Sequence, residues 1–146
     1  MSGSVHVLHG VNLDTLGRRD PKQYGRMTLA ELEREIGGQA AELGLEASFA
    51  QTNHEGEYCE LLHRAAGTAD GLVLNPGAWT HYSYAIRDAL EVAALPAVEV
   101  HISAVDDRED WRQRSVIREL CVGRVQGQGA AGYREALRML AEEIAR

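Results

Sequence analysis

The stretch GLVLNPGAWTHYSYAIRDAL, residues 71–90, determines the fold that the sequence predicts. It begins with the apolar run GLVLN (71–75), passes through the turn formers Pro76 and Gly77, and continues as a helical pattern from Thr80 to Ala94. A strand that is apolar at nearly every position is typical of a parallel sheet covered by helices on both faces. Strand, tight turn and helix together therefore predict an α/β protein.

The alternation of strand and helix continues on both sides of this stretch. Further strands are predicted at VHVLHG (5–10), LEASFAQT (45–52), AVEVHIS (97–103) and LCVGRVQG (120–127), and further helices at 28–44, 55–69, 106–115 and 133–146. Five strands alternating with helices predict a doubly wound parallel sheet. A chain of 146 residues has the usual length of one domain, so we expect a single domain over residues 1–146.

The composition excludes several classes of protein. With 45% apolar and 25% charged residues, the chain is close to the average of soluble globular proteins. The net charge of -7 argues against a nucleic-acid partner, because neutralising phosphates takes clustered Lys and Arg. The sequence has no apolar run of the roughly 18 residues that cross a bilayer and no signal-peptide pattern. We therefore expect a cytoplasmic protein without a membrane partner.

Cysteines and histidines give no metal-binding pattern. Cys59 and Cys121, the two cysteines, fall in a predicted helix and a predicted strand and are interpreted as reduced packing residues. The six histidines include no HxxxH pair. We expect neither a metal site nor a metal cofactor.

One connection is much longer than the fold requires. The segment GVNLDTLGRRDPKQYGRM (10–27) separates the first strand from its helix, although such connections usually take about 2 to 6 residues. Long loops in compact domains are often lids over a binding site. We predict a lid at about residues 14–27, with Gly17 and Gly25 as hinges.

Polar side chains follow the carboxyl ends of the predicted strands. In a doubly wound sheet with the flavodoxin-like order 2-1-3-4-5, ligands bind at this edge, between strands 1 and 3. The candidates there are Asn12, Asn75, His81, Glu99, His101 and Ser103. Four of these residues, and two further candidates, Tyr24 and Arg112, have a structural alternative: Asn12 and Asn75 can be turn formers, His101 a core histidine, Tyr24 a packing residue of the loop, and His81 and Arg112 surface residues. Their convergence on one edge favours a site.

The sequence resembles the type II 3-dehydroquinate dehydratases, or type II dehydroquinases, over nearly its whole length. The matching segments are HGVNLDTLG (9–17), RRDPKQYG (18–25), NPGAWTHYSYAIRDAL (75–90), VEVHIS (98–103), REDWRQRS (108–115) and Gly132-Tyr133. The resemblance implies a flavodoxin-like fold and the conversion of 3-dehydroquinate to 3-dehydroshikimate through an enolate. It also implies a dodecamer built from trimers and no metal or organic cofactor.

The resemblance implies a chemical role for five residues. Tyr24 would take a proton from C2 of the substrate, with Arg19 favouring the tyrosinate form. Asn12 would orient a water molecule against the enolate oxygen. His101 would protonate the departing C1 hydroxyl, and Glu99 would orient His101. The chemistry is consistent, because free tyrosine ionises near pH 10 and needs a cation to act as a base at neutral pH.

Substrate binding is assigned by the same resemblance. The residues that would hold the hydroxyls and the carboxylate are Asn75, His81 and Arg112, together with the backbone at Ile102 and Ser103. Ser103 precedes a predicted helix, whose N-terminus would favour an anion. Asp88 would reach the site of the adjacent subunit in the trimer.

Departures from the family pattern leave alternatives open. His9 and Val11 replace an Asn and a Pro in the first loop, Ala104 replaces the Asn that usually follows HIS, and the region around Arg124 is more polar than usual. A paralogue that dehydrates an amino analogue and an inactive relative that serves an interaction are the alternatives. A flavodoxin-like signalling module is disfavoured, because the strand ends lack the acidic residues that it requires. A flavin-binding module is disfavoured, because the segment after strand 1 is not a Ser/Thr-rich phosphate loop.

Overall fold

Five parallel strands form one sheet in the computed structural model, which describes residues 3–146. The strands are β1 (Gly3–His9), β2 (Leu45–Gln51), β3 (Gly71–Asn75), β4 (Ala97–His101) and β5 (Gly123–Gln126). They are ordered β2-β1-β3-β4-β5, which confirms the predicted flavodoxin-like topology. The strand order reverses between β1 and β3, so a crevice opens at the carboxyl ends of these two strands.

Of the five α-helices in residues 3–146, the four longer ones pack on the two faces of the sheet, and the shortest lies in the connection after β1. The five helices are α1 (Pro21–Tyr24), α2 (Leu29–Glu42), α3 (Glu55–Ala65), α4 (Tyr84–Ala93) and α5 (Ala131–Ala145). Val73 packs into a core formed with α2 and α5, whereas Leu72 and Leu74 pack into a core formed with α3 and α4. β3 is therefore buried on both faces, which explains its unbroken apolar sequence. Within residues 3–146, no helix is both long enough and apolar enough to cross a membrane.

The predicted helix from Thr80 to Ala94 is wrong in its first part. Gly77–His81 forms a 3-10 turn, and α4 begins only at Tyr84. The reason is a cap: Oγ of Ser83 accepts a hydrogen bond of 3.1 Å from the backbone N–H of Ile86. The cap starts a new helix at Tyr84, so the 3-10 turn that follows β3 is not part of α4.

The predicted helix at 106–115 is also wrong. The chain instead forms two 3-10 turns, Val105–Asp107 and Asp110–Gln113, with Arg108 in an extended conformation between them. The extended backbone at Arg108 sends its side chain to Tyr24 and Ser103 rather than along a helix. Ser103 therefore does not precede a helix whose dipole would favour an anion.

The fifth strand is shorter than the predicted 120–127. Leu120 ends a 3-10 turn, Arg118–Leu120, and pairing with β4 begins only at Gly123. Cys121 consequently lies before the strand and not within it, and its thiol donates a 3.4 Å hydrogen bond to the carbonyl of Ile117. The remaining boundaries differ from the predicted ones by a few residues at their ends.

The long connection after β1 is folded rather than irregular. It contains a 3-10 turn, Leu13–Thr15, and the short helix α1, which Asp20 caps by accepting a 3.0 Å hydrogen bond from the N–H of Lys22. Gly17 and Gly25 have φ angles of 95° and 68°, which a side chain would disfavour. Glycine is thus favoured over other residues at both positions.

Candidate active site

A pocket lies at the carboxyl edge of the sheet, where the topology predicts a site. Nine of the eleven predicted site residues line it: Asn12, Arg19, Tyr24, Asn75, His81, His101, Ile102, Ser103 and Arg112. Glu99 lies behind His101 and does not line the pocket. Asp88 is exposed on the outer side of α4, away from this pocket.

Tyr24 is held by two arginines. Nη2 of Arg19 donates a hydrogen bond of 2.9 Å to the Tyr24 hydroxyl oxygen, and Nη1 of Arg108 donates another of 2.7 Å. The Arg19 guanidinium also lies over the tyrosine ring, 3.8 Å from its centre. Two guanidinium groups therefore lie against the hydroxyl oxygen of Tyr24. Arg108 additionally donates to Oγ of Ser103 over 3.2 Å, which ties the loop to the end of β4.

His101 is bound to a buried carboxylate. Its Nε2 lies 2.6 Å from Oε2 of Glu99, which is completely buried. Since Nε2 is engaged, Nδ1 is the ring nitrogen left for a ligand in the pocket. Position 101 follows position 99 on the same face of β4, because side chains alternate along a strand.

Glu99 stays ionised in spite of its burial. Burial alone would raise the pKa of the carboxyl, but the hydrogen bond and charge of His101 lower it, with help from the hydroxyls of Thr80 and Ser115, to about 2. Thr80 donates over 2.5 Å and Ser115 over 2.7 Å. The carboxylate therefore fixes the orientation of the His101 ring.

His81 presents one free nitrogen. Its Nδ1 donates to the backbone carbonyl of Arg114 over 2.6 Å, and its ring meets the edge of Trp111 at a centroid distance of 5.3 Å. Burial lowers the pKa of His81, although its bond to the carbonyl opposes this shift. The neutral ring is favoured, so Nε2 is an acceptor for a hydroxyl group.

Two asparagines, Asn12 and Asn75, line the pocket. Asn75 ends β3, is buried, and accepts a hydrogen bond of 3.1 Å from the N–H of Gly77. Asn12 has a left-handed backbone with φ 70°, and its N–H donates over 2.8 Å to Oδ1 of Asn53. Both side chains end in an amide, which can donate and accept hydrogen bonds.

Arginines gather at the pocket in a chain of negative net charge. Arg19, Arg108 and Arg112 all line it. Nε of Arg112 donates over 2.9 Å to Glu109, and its guanidinium lies 4.1 Å from the centre of the Trp111 ring. The three guanidinium groups suit an anionic ligand such as a carboxylate.

Sequence reasoning missed four residues of this site. Arg108 and Trp111 belong to the segment REDWRQRS, but no spacing rule linked them to Tyr24 or His81. Thr80 and Ser115 complete the environment of Glu99. A fully buried Glu in an otherwise apolar strand was the available signal, because such a carboxylate requires several donors.

No metal-ligand group was found among residues 3–146: no three His, Cys, Asp or Glu side chains are clustered in a way that would hold an ion. The expectation of a metal-free reaction stays a prediction.

The fold defines a flavodoxin-like α/β protein. Its pocket, at the carboxyl ends of the strands, combines a tyrosine between two arginines with a histidine bound to a carboxylate. The model of the family "Dehydroquinase class II" matches residues 3–141. The chain belongs to this family.

Individual relatives agree with the family match. The chain is 50% identical to a 3-dehydroquinate dehydratase from Pelotomaculum thermopropionicum over 137 residues, which are 94% of this chain and 95% of the relative. It is 49% identical to 3-dehydroquinate dehydratase 2 from Pseudomonas putida, over 97% of this chain and 95% of the relative. The crystal structure of type II dehydroquinase from Propionibacterium acnes superimposes with a TM-score of 0.92 at 41% identity, covering 97% of this chain and 98% of that one.

Proposed function

We propose that the protein removes water from 3-dehydroquinate to give 3-dehydroshikimate through an enolate intermediate. The observation that carries the proposal is the pair of hydrogen bonds from Arg19 and Arg108 to Tyr24, in a pocket that His101 also lines. A base and an acid in one pocket are what elimination beside a ketone requires. Family membership and the names of the relatives support this substrate rather than an amino analogue.

Tyr24 is the base. Free tyrosine ionises near pH 10, so a tyrosinate at neutral pH needs neighbouring cations. Arg19 and Arg108 supply them at 2.9 and 2.7 Å. The tyrosinate takes the proton from C2, and the electron pair of the C–H bond moves into the enolate, which places the negative charge on the former carbonyl oxygen.

Asn12 and His101 complete the elimination. Asn12 orients a water molecule whose hydrogen bond stabilises the enolate oxygen as charge develops there. His101 then gives its proton to the C1 hydroxyl, which leaves as water while the enolate electrons form the conjugated double bond. Glu99 remains ionised and holds the imidazole in position.

The remaining pocket residues bind the substrate. Arg112 pairs with the substrate carboxylate, helped by the backbone at Ile102 and Ser103. The amide of Asn75 and the free Nε2 of His81 hold the ring hydroxyls. Their burial supports this assignment, since each side chain is less than a tenth exposed and has polar capacity left for a ligand.

The assembly belongs to the same proposal. Tyr84, Asp88 and Val92 are spaced four residues apart on α4, and Tyr84 and Val92 are 55% and 66% exposed. Two exposed large side chains on either side of a carboxylate suit a subunit contact. We infer that Asp88 reaches the pocket of an adjacent subunit in a trimer, with four trimers in a dodecamer. A fully active monomer in sedimentation would contradict this inference.

The cytoplasmic location also stays a prediction.

One assay tests the function directly. Adding 3-dehydroquinate to the purified protein should produce ultraviolet absorbance from the conjugated product. The matched control is His101→Ala, which keeps the substrate-binding groups and removes the acid. Absence of product from the wild-type protein, or equal rates from both proteins, would contradict the proposal.

A further inference from the structure

We propose that Arg124, in β5, is a positioning residue that offsets the charge of Glu99 and thereby controls how tightly His101 holds its proton. The inference rests on the proposed function, because it concerns the acid of that reaction. Arg124 lies outside the pocket, so it acts through Glu99 and touches no substrate.

The sheet register brings Arg124 to Glu99. β4 and β5 are parallel neighbours in which Glu99 is paired with Arg124 and His101 with Gln126. Because side chains alternate along a strand, all four project from one face of the sheet. Nε of Arg124 lies 3.6 Å from Oε1 of Glu99, and the Arg124 side chain is only 13% exposed.

The influence of Arg124 on Glu99 is electrostatic. Within residues 3–146, its Nε and Nη2 are buried and make no hydrogen bond. The oxygens of Glu99 are instead occupied by Ser115, Thr80 and His101, at 2.7, 2.5 and 2.6 Å. A guanidinium at 3.6 Å without a hydrogen bond contributes its charge alone.

A second carboxylate lies on the far side of Arg124. Oδ2 of Asp106 is 3.4 Å from Nη1 of Arg124, and it also accepts a hydrogen bond of 2.7 Å from Nε2 of Gln126. His101, Glu99, Arg124 and Asp106 thus form a row of alternating charges that runs from the pocket outward. Asp106, like Arg124, does not line the pocket.

The row sets the strength of the acid. The negative charge of Glu99 favours protonated His101, and the positive charge of Arg124 opposes that effect. The negative charge of Asp106 in turn partly offsets the positive charge of Arg124. A proton donor that is held too tightly transfers its proton slowly, so Arg124 tunes His101 toward release.

Substitutions at Arg124 or Asp106 leave the other charged and titratable groups near His101 and Glu99 unchanged. On the pocket side they are His81, whose ring centre is 6.4 Å from that of His101, with Tyr24, Arg19, Arg108 and Arg112. Behind Glu99 they are Tyr58 and Cys121, and beyond Asp106 there is Arg118 at 3.9 Å. Since these groups are constant, differences between the variants report on the row.

The test uses two substitutions that should act in opposite directions. In Arg124→Met, His101 should keep its proton to higher pH, so the alkaline limb of log kcat against pH should move up by about half a unit or more. In Asp106→Asn, the amide oxygen can still accept the hydrogen bond from Gln126, and the alkaline limb should move to lower pH. Arg124→Lys keeps the charge and should resemble the wild type. KM should change little in all three variants, because none of these residues lines the pocket.

A purely structural role for Arg124 would lower activity at every pH and leave the limb in place. That result, or shifts of the same sign in Arg124→Met and Asp106→Asn, would overturn the inference. If Arg124→Met does not fold, the direction of the shift in Asp106→Asn still tests the inference, with Arg124→Lys as the control that keeps the charge. Titrating the His101 imidazole by NMR in the same variants measures the shifts without activity, so failure of the dehydratase assay would not be confused with failure of the inference.

Discussion

Nη1 of Arg108 lies 2.7 Å from the hydroxyl oxygen of Tyr24, although the two residues are 84 positions apart in the sequence. Arg19 reaches the same oxygen from within the loop, at 2.9 Å. The tyrosine is therefore flanked by one cation from its own loop and one from the segment that follows β4. This double contact links the folded loop to the sheet edge and places both guanidinium groups at the oxygen that the proposed mechanism uses as the base.

We predict that removing either arginine costs activity in a pH-dependent way. Arg19→Ala and Arg108→Ala should each lower kcat at neutral pH, because one cation alone favours the tyrosinate less than two. Part of the loss should return at higher pH, where tyrosine ionises with less help. The measurement is kcat against pH for both variants. Defects that are equally deep at every pH would show that neither arginine acts through ionisation of Tyr24.

The acid and the carboxylate anchor should have different kinetic signatures. Arg112→Ala should mainly raise KM, since an anchor used in the ground state and in the transition state contributes uniform binding. His101→Ala should mainly lower kcat, by about a hundredfold or more, the low end for general acid–base catalysis. Steady-state kinetics of both variants distinguish these effects. A wild-type kcat for His101→Ala would remove it from the acid role.

Much of the fold followed from periodicity in the sequence. Buried strands such as β3 carry a local pattern, and their order followed from a general rule for doubly wound sheets and from the family resemblance. Helix starts were less predictable. The cap at Ser83 lies inside a stretch that the sequence pattern predicts as one helix from Thr80 to Ala94, so periodicity alone placed the start of α4 too early.

The pocket was partly predictable for the same reason. Asn12, Asn75 and His101 follow or end strands, and strand ends meet at one edge of the sheet. Arg108 was not predictable, because its contact with Tyr24 depends on an extended residue between two 3-10 turns. From the sequence, Arg124 was notable only because the fifth strand is more polar than is usual in the family. Its proximity to Glu99 follows from the register of β4 and β5, which the sequence does not reveal.

Glu99 should make stability depend on pH in the acid range. Its pKa is about 2 in the folded protein against an ordinary value of 4.5, so its stabilising effect is complete above pH 4.5 and is lost as the pH falls toward 2. Between pH 6 and pH 3 the wild type should lose about 2 kcal/mol of unfolding free energy relative to Glu99→Gln. Urea denaturation of both proteins across this range measures the difference. Parallel curves would show that the carboxylate is not stabilised as an anion.

The reaction should need neither an imine nor a metal. Lys22, the one lysine in the sequence, is exposed in α1 and does not line the pocket. Borohydride added with 3-dehydroquinate should leave the enzyme active and unlabelled, and EDTA should leave kcat unchanged. Mass spectrometry after borohydride treatment is the readout. A substrate adduct on Lys22 would contradict the enolate route without covalent attachment.

The central claim is that the Tyr24 oxygen removes the proton from C2, and Tyr24→Phe tests it most directly. The substitution keeps the ring against Arg19 and deletes only the oxygen that both arginines contact. The measurement is kcat for 3-dehydroquinate in the variant and the wild type, together with substrate affinity by calorimetry. We predict nearly normal binding and a loss of at least about a hundredfold in kcat. A variant that binds substrate and turns it over at the wild-type rate would contradict the claim, and the base would then have to be sought elsewhere, first at His81.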